Sequence, residues 1–178
     1  MTRLVRETKE TRVEVDLSRT GGEVVVSTGK PFFDHMLQTL ARYAGFGLKL
    51  SAKGDLVHHL MEDVALALGE ALRREIPETA ARYGERTLPM DEVLVQVAVD
   101  VGGRFYYRGK LPSRLYEHVM RSLADAARIT LHVRVVRSGN RHHTIEGAFK
   151  ALGLALRQAM ADSGAVFSTK GSVSLEVK

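Results

Sequence analysis

Residues 58–76 read HHLMEDVALALGEALRREI, and residues 142–160 read HHTIEGAFKALGLALRQAM. The two stretches align without a gap at an offset of 84 residues, and they share both histidines, the following glutamate and the triplets Ala-Leu-Gly and Ala-Leu-Arg. A match of this density at a fixed spacing indicates an internal repeat. The sequence therefore predicts a duplicated unit in which each copy begins one helix with His-His-x-x-Glu.

The spacing of this motif places its side chains on two different faces of a helix. At 3.6 residues per turn, His58 and Glu62 share one face, whereas His59 points about 100° away. A pseudo-twofold axis relating the two copies would build two metal sites, each with ligands from both copies. Imidazole and carboxylate suit a divalent ion such as manganese, iron or zinc. The alternative is that surface histidines open two related helices and bind no metal.

The segments around the two motifs repeat one order, which is strands, helix, strand, helix. Apolar alternation and turn residues predict strands over residues 3–17, 23–27, 45–52, 92–99, 105–109 and 129–136. A charged patch at residues 7–11 interrupts the first of these, so two or three strands precede the first helix. Helical spacing predicts helices over residues 31–44 and 113–127. When these two helices are aligned, His35 stands opposite His118. We therefore predict an α+β fold whose half-domains, residues 1–84 and 85–178, form one compact domain.

Composition narrows the classes of function. The chain has 178 residues and no cysteine, which excludes disulfides and thiolate metal sites and agrees with a cytoplasmic protein. No apolar run is long enough to span a membrane. The net charge of +5 is spread among acidic residues, so no basic stripe indicates nucleic-acid binding. Scattered arginines also suit an enzyme that binds a phosphorylated small molecule.

Motifs along essentially the whole chain resemble those of the imidazoleglycerol-phosphate dehydratase family, lyases of histidine biosynthesis. In order they are TKET (8–11), FFDHML (32–37), HHxxED (58–63), RYG (82–84), PMDE (89–92), GGR (102–104), LH (131–132), NRHHTIEGAFKA (140–151) and STKG (168–171). The resemblance implies a two-layer α/β sandwich built from a duplicated half-domain, like the second domain of ribosomal protein S5. It also implies two Mn²⁺ ions per active site.

The resemblance implies roles for individual residues. The implied metal ligands are His35, His58, His59, Glu62, His132, His142, His143 and Glu146. It favours His132 over His118, because the family position of His118 is usually apolar, although the internal repeat pairs His118 with His35. The implied phosphate-binding residues are Arg82, Arg104, Lys150, Ser168 and Lys170. Glu10 is implied as the acid/base residue, with Asp91 as its neighbour.

The sequence departs from the family pattern in two places. The loop from Gly54 to His58 is shortened, and the acidic residue that usually stands two places before the His-His doublet has no counterpart. Tyr43 stands where a histidine is common. Neither change removes an implied metal ligand.

The reaction implied is the dehydration of imidazole glycerol phosphate to imidazole acetol phosphate. The proton that leaves is not adjacent to a carbonyl, so we expect two cations, one at each ring nitrogen, to hold the imidazole as imidazolate. The resemblance also implies a homo-oligomer of about 24 chains built from trimers, with active sites between subunits.

Two other classes of protein remain as alternatives. The first alternative is a nucleic-acid-binding module, because a basic chain with this order of elements is found among such proteins. That function would not explain the paired His-His-x-x-Glu motifs. A dimetal hydrolase would use similar ligands, but the His-Glu-x-x-His arrangement of many such enzymes is absent. About two manganese equivalents per chain would favour the lyase over the binding module.

Overall fold

The computed structural model describes residues 1–166, which form two four-stranded sheets and four helices. The strands are β1 (Thr2–Glu7), β2 (Thr11–Ser18), β3 (Val24–Ser27), β4 (Gly47–Gly54), β5 (Tyr83–Met90), β6 (Val93–Asp100), β7 (Tyr106–Gly109) and β8 (Thr130–Arg137). The helices are α1 (Pro31–Ala44), α2 (Val57–Glu75), α3 (Arg114–Ala127) and α4 (Arg141–Ala159).

The two sheets have the same topology. The strand order is β1-β2-β4-β3 in the first sheet and β5-β6-β8-β7 in the second. In each sheet the last pair, β3 with β4 or β7 with β8, is parallel, and the other pairs are antiparallel. This agreement confirms the prediction of a duplicated α+β half-domain. The predicted division at residues 84 and 85 remains a prediction, and the second sheet begins at Tyr83.

The four helices lie between the two sheets and join the halves. Helix α2 packs against the first sheet and also against α3, while α4 packs against the second sheet and also against α1. Glycines allow both helix crossings: a β-carbon at Gly69 would lie 2.5 Å from the Leu123 carbonyl oxygen, and one at Gly153 would lie 2.7 Å from that of Leu40. Each half-domain thus buries its helices against the other half.

The core consists of alternate residues of the central strands and the inner faces of the helices. In β2 and β6 every second residue is fully buried, as the alternation of valines predicts for strands with one face toward a core. The predicted helices over residues 31–44 and 113–127 are confirmed, the latter beginning at Arg114. No helix within residues 1–166 is both long and apolar enough to cross a membrane.

The structure decides one open prediction of strands and corrects another. The interrupted strand pattern over residues 3–17, which left two or three strands open before the first helix, is a hairpin, because the backbone turns between Thr8 and Thr11. Strand β5 was not predicted, because Pro89 indicated a turn. A proline is tolerated here since β5 is an edge strand, where a missing N–H need not break a ladder.

Candidate metal centre

Two clusters of imidazole and carboxylate groups each join helices from both halves. The cluster that we call cluster A contains His35 on α1 with His142 and Glu146 on α4. Oε2 of Glu146 lies 2.9 Å from Nε2 of His142 and 3.4 Å from Nε2 of His35. The i, i+4 spacing on α4 brings the first pair together, and the packing of α1 on α4 adds the third residue.

The second cluster, cluster B, is the twofold counterpart. It contains His118 on α3 with His58 and Glu62 on α2. The imidazole rings of His58 and His118 are stacked, with centroids 4.9 Å apart. In both clusters the candidate donor atoms lie within 4.8 Å of one another, and two neutral imidazoles with one carboxylate form a donor set that suits a divalent cation.

His118 supplies the clearest sign that cluster B suits a cation. Its Nε2 atom is buried and lies 3.1 Å from Oε1 of Glu62, yet within residues 1–166 it makes no hydrogen bond of acceptable geometry. A buried nitrogen without a hydrogen bond is costly unless another partner occupies that position. A cation bound between His58, Glu62 and His118 would be such a partner.

His132 lies elsewhere in the fold. On β8 the neighbouring residues Leu131 and Val133 are buried, so His132 faces outward, away from the helices, and packs against the ring of Tyr106. It belongs to none of the donor groups found in the described part of the chain. Its assignment as a ligand therefore remains a prediction, whereas His118 occupies the position that the internal repeat indicated.

The second histidine of each doublet faces carboxylates of its own half. Nδ1 of His59 lies 3.2 Å from both Glu10 and Asp55, and Nδ1 of His143 lies 3.2 Å from Glu92. Asp91 is slightly farther from His143, at 3.6 Å. When Nδ1–H donates to a carboxylate, the lone pair of Nε2 remains for coordination.

Two of these carboxylates are held ionised by backbone groups. The Leu56 N–H donates to Asp55 and lowers the pKa of its carboxyl, and the His59 imidazole lowers it further. The Asn140 N–H likewise lowers the pKa of Glu92. Asp55 thus provides a carboxylate beside His59, although the shortened loop before the doublet lacks the acidic residue that usually stands two places before it.

Lys150 distinguishes cluster A from cluster B. Its ammonium group lies 2.9 Å from Oε1 of Glu146, one helical turn away on α4. Burial raises the pKa of Glu146, but hydrogen bonds from Lys150 and His142 outweigh that effect and lower the pKa below its usual range. Burial in turn lowers the pKa of Lys150, while the hydrogen bond and charge of Glu146 raise it, so both groups remain charged.

The predicted phosphate-binding residues that the structure describes, Arg82, Arg104 and Lys150, do not all meet within one chain. Lys150 lies near Met90, which ends β5 opposite the first residue of β6. Arg82 instead binds Asp100, at the other end of β6, with contacts of 2.8 and 3.1 Å. An eight-residue strand spans about 25 Å. Arg104 lies at the Arg82 end, where its carbonyl accepts a hydrogen bond from Thr130. Ser168 and Lys170, with the turn predicted at 168–171 and the short strand after it, lie outside the described residues.

The sequence contained signals for three site residues that were not assigned. His118 aligns with His35, Asp55 stands four residues before His59, and Glu92 precedes β6 as Glu10 precedes β2. The first signal was outweighed by the family pattern. The other two require knowledge of the hairpin register, which sequence spacing alone does not supply.

Comparison with known proteins identifies the relatives of this chain. The family model described as imidazoleglycerol-phosphate dehydratase matches residues 28–156. The chain is 44% identical over 188 residues to the imidazoleglycerol-phosphate dehydratase of Anaeromyxobacter sp. (strain K), covering 96% of this chain and 90% of that protein. It is 47% identical over 186 residues to that of Solidesulfovibrio magneticus, covering 94% and 95%.

Solved structures agree with these sequence comparisons. The dehydratase of Pyrococcus furiosus, crystallised with (S)-C348, superposes with a TM-score of 0.83 at 38% identity, covering 96% of this chain and all of that one. The Staphylococcus aureus enzyme superposes with a TM-score of 0.80 at 30% identity, covering 90% and 98%. Similarity in sequence and in fold therefore extends over nearly the whole chain.

Proposed function

This chain belongs to the imidazoleglycerol-phosphate dehydratase family, and we propose that it converts imidazole glycerol phosphate to imidazole acetol phosphate on a pair of divalent cations. Membership makes it a dehydratase of histidine biosynthesis. The observation that carries the proposal of a metal-dependent reaction is the pair of twofold-related clusters, each of two histidines and one glutamate.

The proposed cation ligands are the members of clusters A and B. They are His35, His142 and Glu146 in cluster A, and His58, Glu62 and His118 in cluster B. We propose Mn²⁺ as the ion, because the family resemblance implies it and because imidazole with carboxylate and no thiolate suits manganese, as it also suits iron or zinc. Two cations held by these residues would supply positive charge that stabilises the substrate imidazole ring as its anion.

The remaining ligands are proposed to reach a neighbouring subunit. With Nδ1 turned toward carboxylates of their own half, His59 and His143 present Nε2 for coordination away from clusters A and B. Arg82 and Arg104 also lie about 25 Å along β6 from Lys150. An active site that combines all these residues therefore requires more than one copy of the chain, which supports a homo-oligomer with sites between subunits.

The protein residues would position the substrate and move its protons. Arginine side chains can hold the phosphate group through paired hydrogen bonds, which fixes the reacting carbons relative to the acid/base group. We assign Glu10 to proton transfer, because its carboxylate is exposed and borders His59. Dehydration removes one C–H proton and the hydroxyl of the neighbouring carbon, and the resulting enol tautomerises to the ketone product.

The proposed activity is tested by turnover. Protein loaded with Mn²⁺ should convert imidazole glycerol phosphate, and a chelator should abolish conversion until Mn²⁺ is restored. Glu10→Gln should reduce turnover to a small residual rate while leaving metal content and substrate binding intact. Loss of affinity alone in that variant would contradict the acid/base assignment.

Assembly is tested separately by light scattering. We expect a particle of about 24 chains that dissociates toward trimers on chelation or at low pH, where protonated histidines cannot coordinate. A cation that binds between chains favours the assembled form by mass action. An active, metal-loaded monomer would contradict the proposed intersubunit sites.

A further inference from the structure

The turn that carries Glu10 is held by a chain of hydrogen bonds that begins in the core. Asp63 on α2 is only 8% exposed, and its Oδ1 accepts from Nε of Arg6 at 2.7 Å. Its other oxygen accepts the hydroxyl of Thr11, which is also buried. Asp63 adjoins cluster B in sequence but belongs to none of the donor groups found in residues 1–166.

The hydroxyl of Thr11 continues the chain to Thr8. The two hydroxyl oxygens lie 3.2 Å apart. The Thr8 oxygen also lies within reach of two backbone N–H groups, those of Glu10 at 3.1 Å and Thr11 at 3.0 Å. These bonds close the turn between β1 and β2.

The direction of each bond follows from the carboxylate of Asp63. A carboxylate paired with an arginine only accepts, so the single Thr11 proton goes to Asp63 and the Thr11 oxygen accepts from Thr8. The Thr8 proton is thereby committed to Thr11, and the lone pairs of Thr8 face the N–H groups of Glu10 and Thr11. Turning the Thr11 proton toward Thr8 instead would leave a buried oxygen of Asp63 without its donor, which is costly.

The second half lacks this arrangement and holds its equivalent glutamate differently. Gly147 stands at the position of Asp63, and Val93 begins β6 as Thr11 begins β2. There the Glu92 carboxylate itself is bound by the Asn140 N–H at 2.5 Å. Within the described residues, the Glu10 carboxylate makes its polar contact with His59. The hydrogen bonds that fix the turn therefore do not use the Glu10 carboxylate.

We propose that Asp63 is a positioning residue that acts through the hydroxyls of Thr11 and Thr8 to hold Glu10 beside His59. The chain of bonds fixes the Glu10 backbone and leaves its carboxylate available for proton transfer. This proposal rests on the acid/base role of Glu10. Misplacement of a reacting group by about 1 Å can cost about 10²-fold in rate, so the expected effect falls on kcat.

Thr11→Val tests the proposal, because valine keeps the shape of threonine and removes the hydroxyl. We expect kcat to fall about 10- to 100-fold, with KM, Mn²⁺ content and particle size unchanged, and Thr11→Ser to restore most of the activity. Arg12→Gln, an exposed position on the same hairpin, is the matched control and should keep the wild-type kcat. Equal kcat in Thr11→Val and wild type would overturn the proposal.

A double variant distinguishes positioning from general destabilisation. If Thr11 acts only through Glu10, Thr11→Val should lower the residual rate of Glu10→Gln no further. An equal loss in both backgrounds would show that Thr11 supports the fold and not Glu10. If Glu10→Gln itself retains wild-type turnover, the acid/base assignment fails and this proposal fails with it.

Hydrogen exchange tests the turn without using activity. In Thr11→Val, Thr8→Val and Asp63→Asn, the amides of Glu10 and Thr11 should exchange faster than in the wild-type protein. Thr8 is exposed, so Thr8→Val carries little risk of preventing folding. Unchanged exchange in these variants would overturn the chain of hydrogen bonds even if the proposed reaction proved correct.

Discussion

Clusters A and B have the same donors but different surroundings. In cluster A, Glu146 is buried and bonded to Lys150, whereas in cluster B, Glu62 is more exposed and the position equivalent to Lys150 is Leu66. A cation in cluster A must therefore share its carboxylate with an ammonium group, and a cation in cluster B need not. Duplication has kept the donor atoms and has changed the charge beside them.

The largest expected effect concerns the histidine that completes cluster B. His118→Ala should lower Mn²⁺ affinity at one of two sites by about 10²-fold or more, so that one equivalent per chain remains bound at micromolar metal. His132→Ala should retain both equivalents if clusters A and B alone hold the cations, because this side chain faces away from both clusters. Elemental analysis after dialysis measures both. Loss of Mn²⁺ from His132→Ala but not from His118→Ala would support His132 as the ligand, as the family pattern implies. The two clusters would then not be equivalent.

A smaller effect is expected from exchanging the residues that distinguish the clusters. Lys150→Met should raise Mn²⁺ affinity in cluster A about tenfold, because removal of one nearby like charge relieves repulsion of roughly 1.4 kcal/mol. Leu66→Lys should lower the affinity of cluster B by a similar factor. Calorimetric titration with Mn²⁺ in the absence of substrate separates this effect from any role of Lys150 in phosphate binding. If neither substitution changed the Mn²⁺ affinity of its cluster, the charge of Lys150 would have no effect on metal binding.

The smallest effect concerns the ion pair that only the second half possesses. Arg82 lowers the pKa of Asp100 through its hydrogen bonds, against the opposing effect of burial. Asp100→Asn should therefore reduce the free energy of unfolding by about 1 kcal/mol at pH 7. Ser18, which ends β2 as Asp100 ends β6, gives the control Ser18→Ala, with little expected change.

The pH dependence of that effect has a definite sign. Because the folded-state pKa of Asp100 lies below its ordinary value of 3.8, the stabilisation is complete above that value and is lost as pH falls through the folded-state pKa. The difference between wild type and Asp100→Asn should thus shrink below pH 3.8. Urea denaturation with chelator present, at neutral and acidic pH, measures it. A difference that grows on acidification would contradict the ion-pair explanation.

Sequence patterns predicted the helices and the i, i+4 pairing of histidine with glutamate because both depend on local spacing. The i, i+4 relation of His142 to Glu146 is a property of any helix, and the internal repeat paired His35 with His118 before any fold was known. What spacing does not contain is the direction in which a strand residue faces a partner. His132 was assigned as a ligand from the family motif, and the alternation of buried and exposed residues along β8 turns its side chain away from both clusters.

Long-range pairing accounts for the other omissions. Strand β5 forms because its neighbour β6 supplies hydrogen bonds, and Pro89 alone suggested a turn. The bond from Asp63 to Thr11 joins residues 52 positions apart, and only the packing of α2 on the first sheet brings them together. The separation of Arg82 from Lys150 is likewise a consequence of strand length that no motif expresses.

The two helix crossings at Gly69 and Gly153 have an evolutionary consequence. Since α1 packs on α4 and α2 on α3, a homodimer of one half-domain would form both crossings and two identical clusters, as isologous contacts require. In such an ancestor every substitution would appear at both sites at once. Joining two copies in one chain removes that constraint, so Lys150 could arise beside one carboxylate while Leu66 remained beside the other. A single polypeptide can thus acquire two sites of unequal affinity, which a symmetric dimer of half-domains cannot encode.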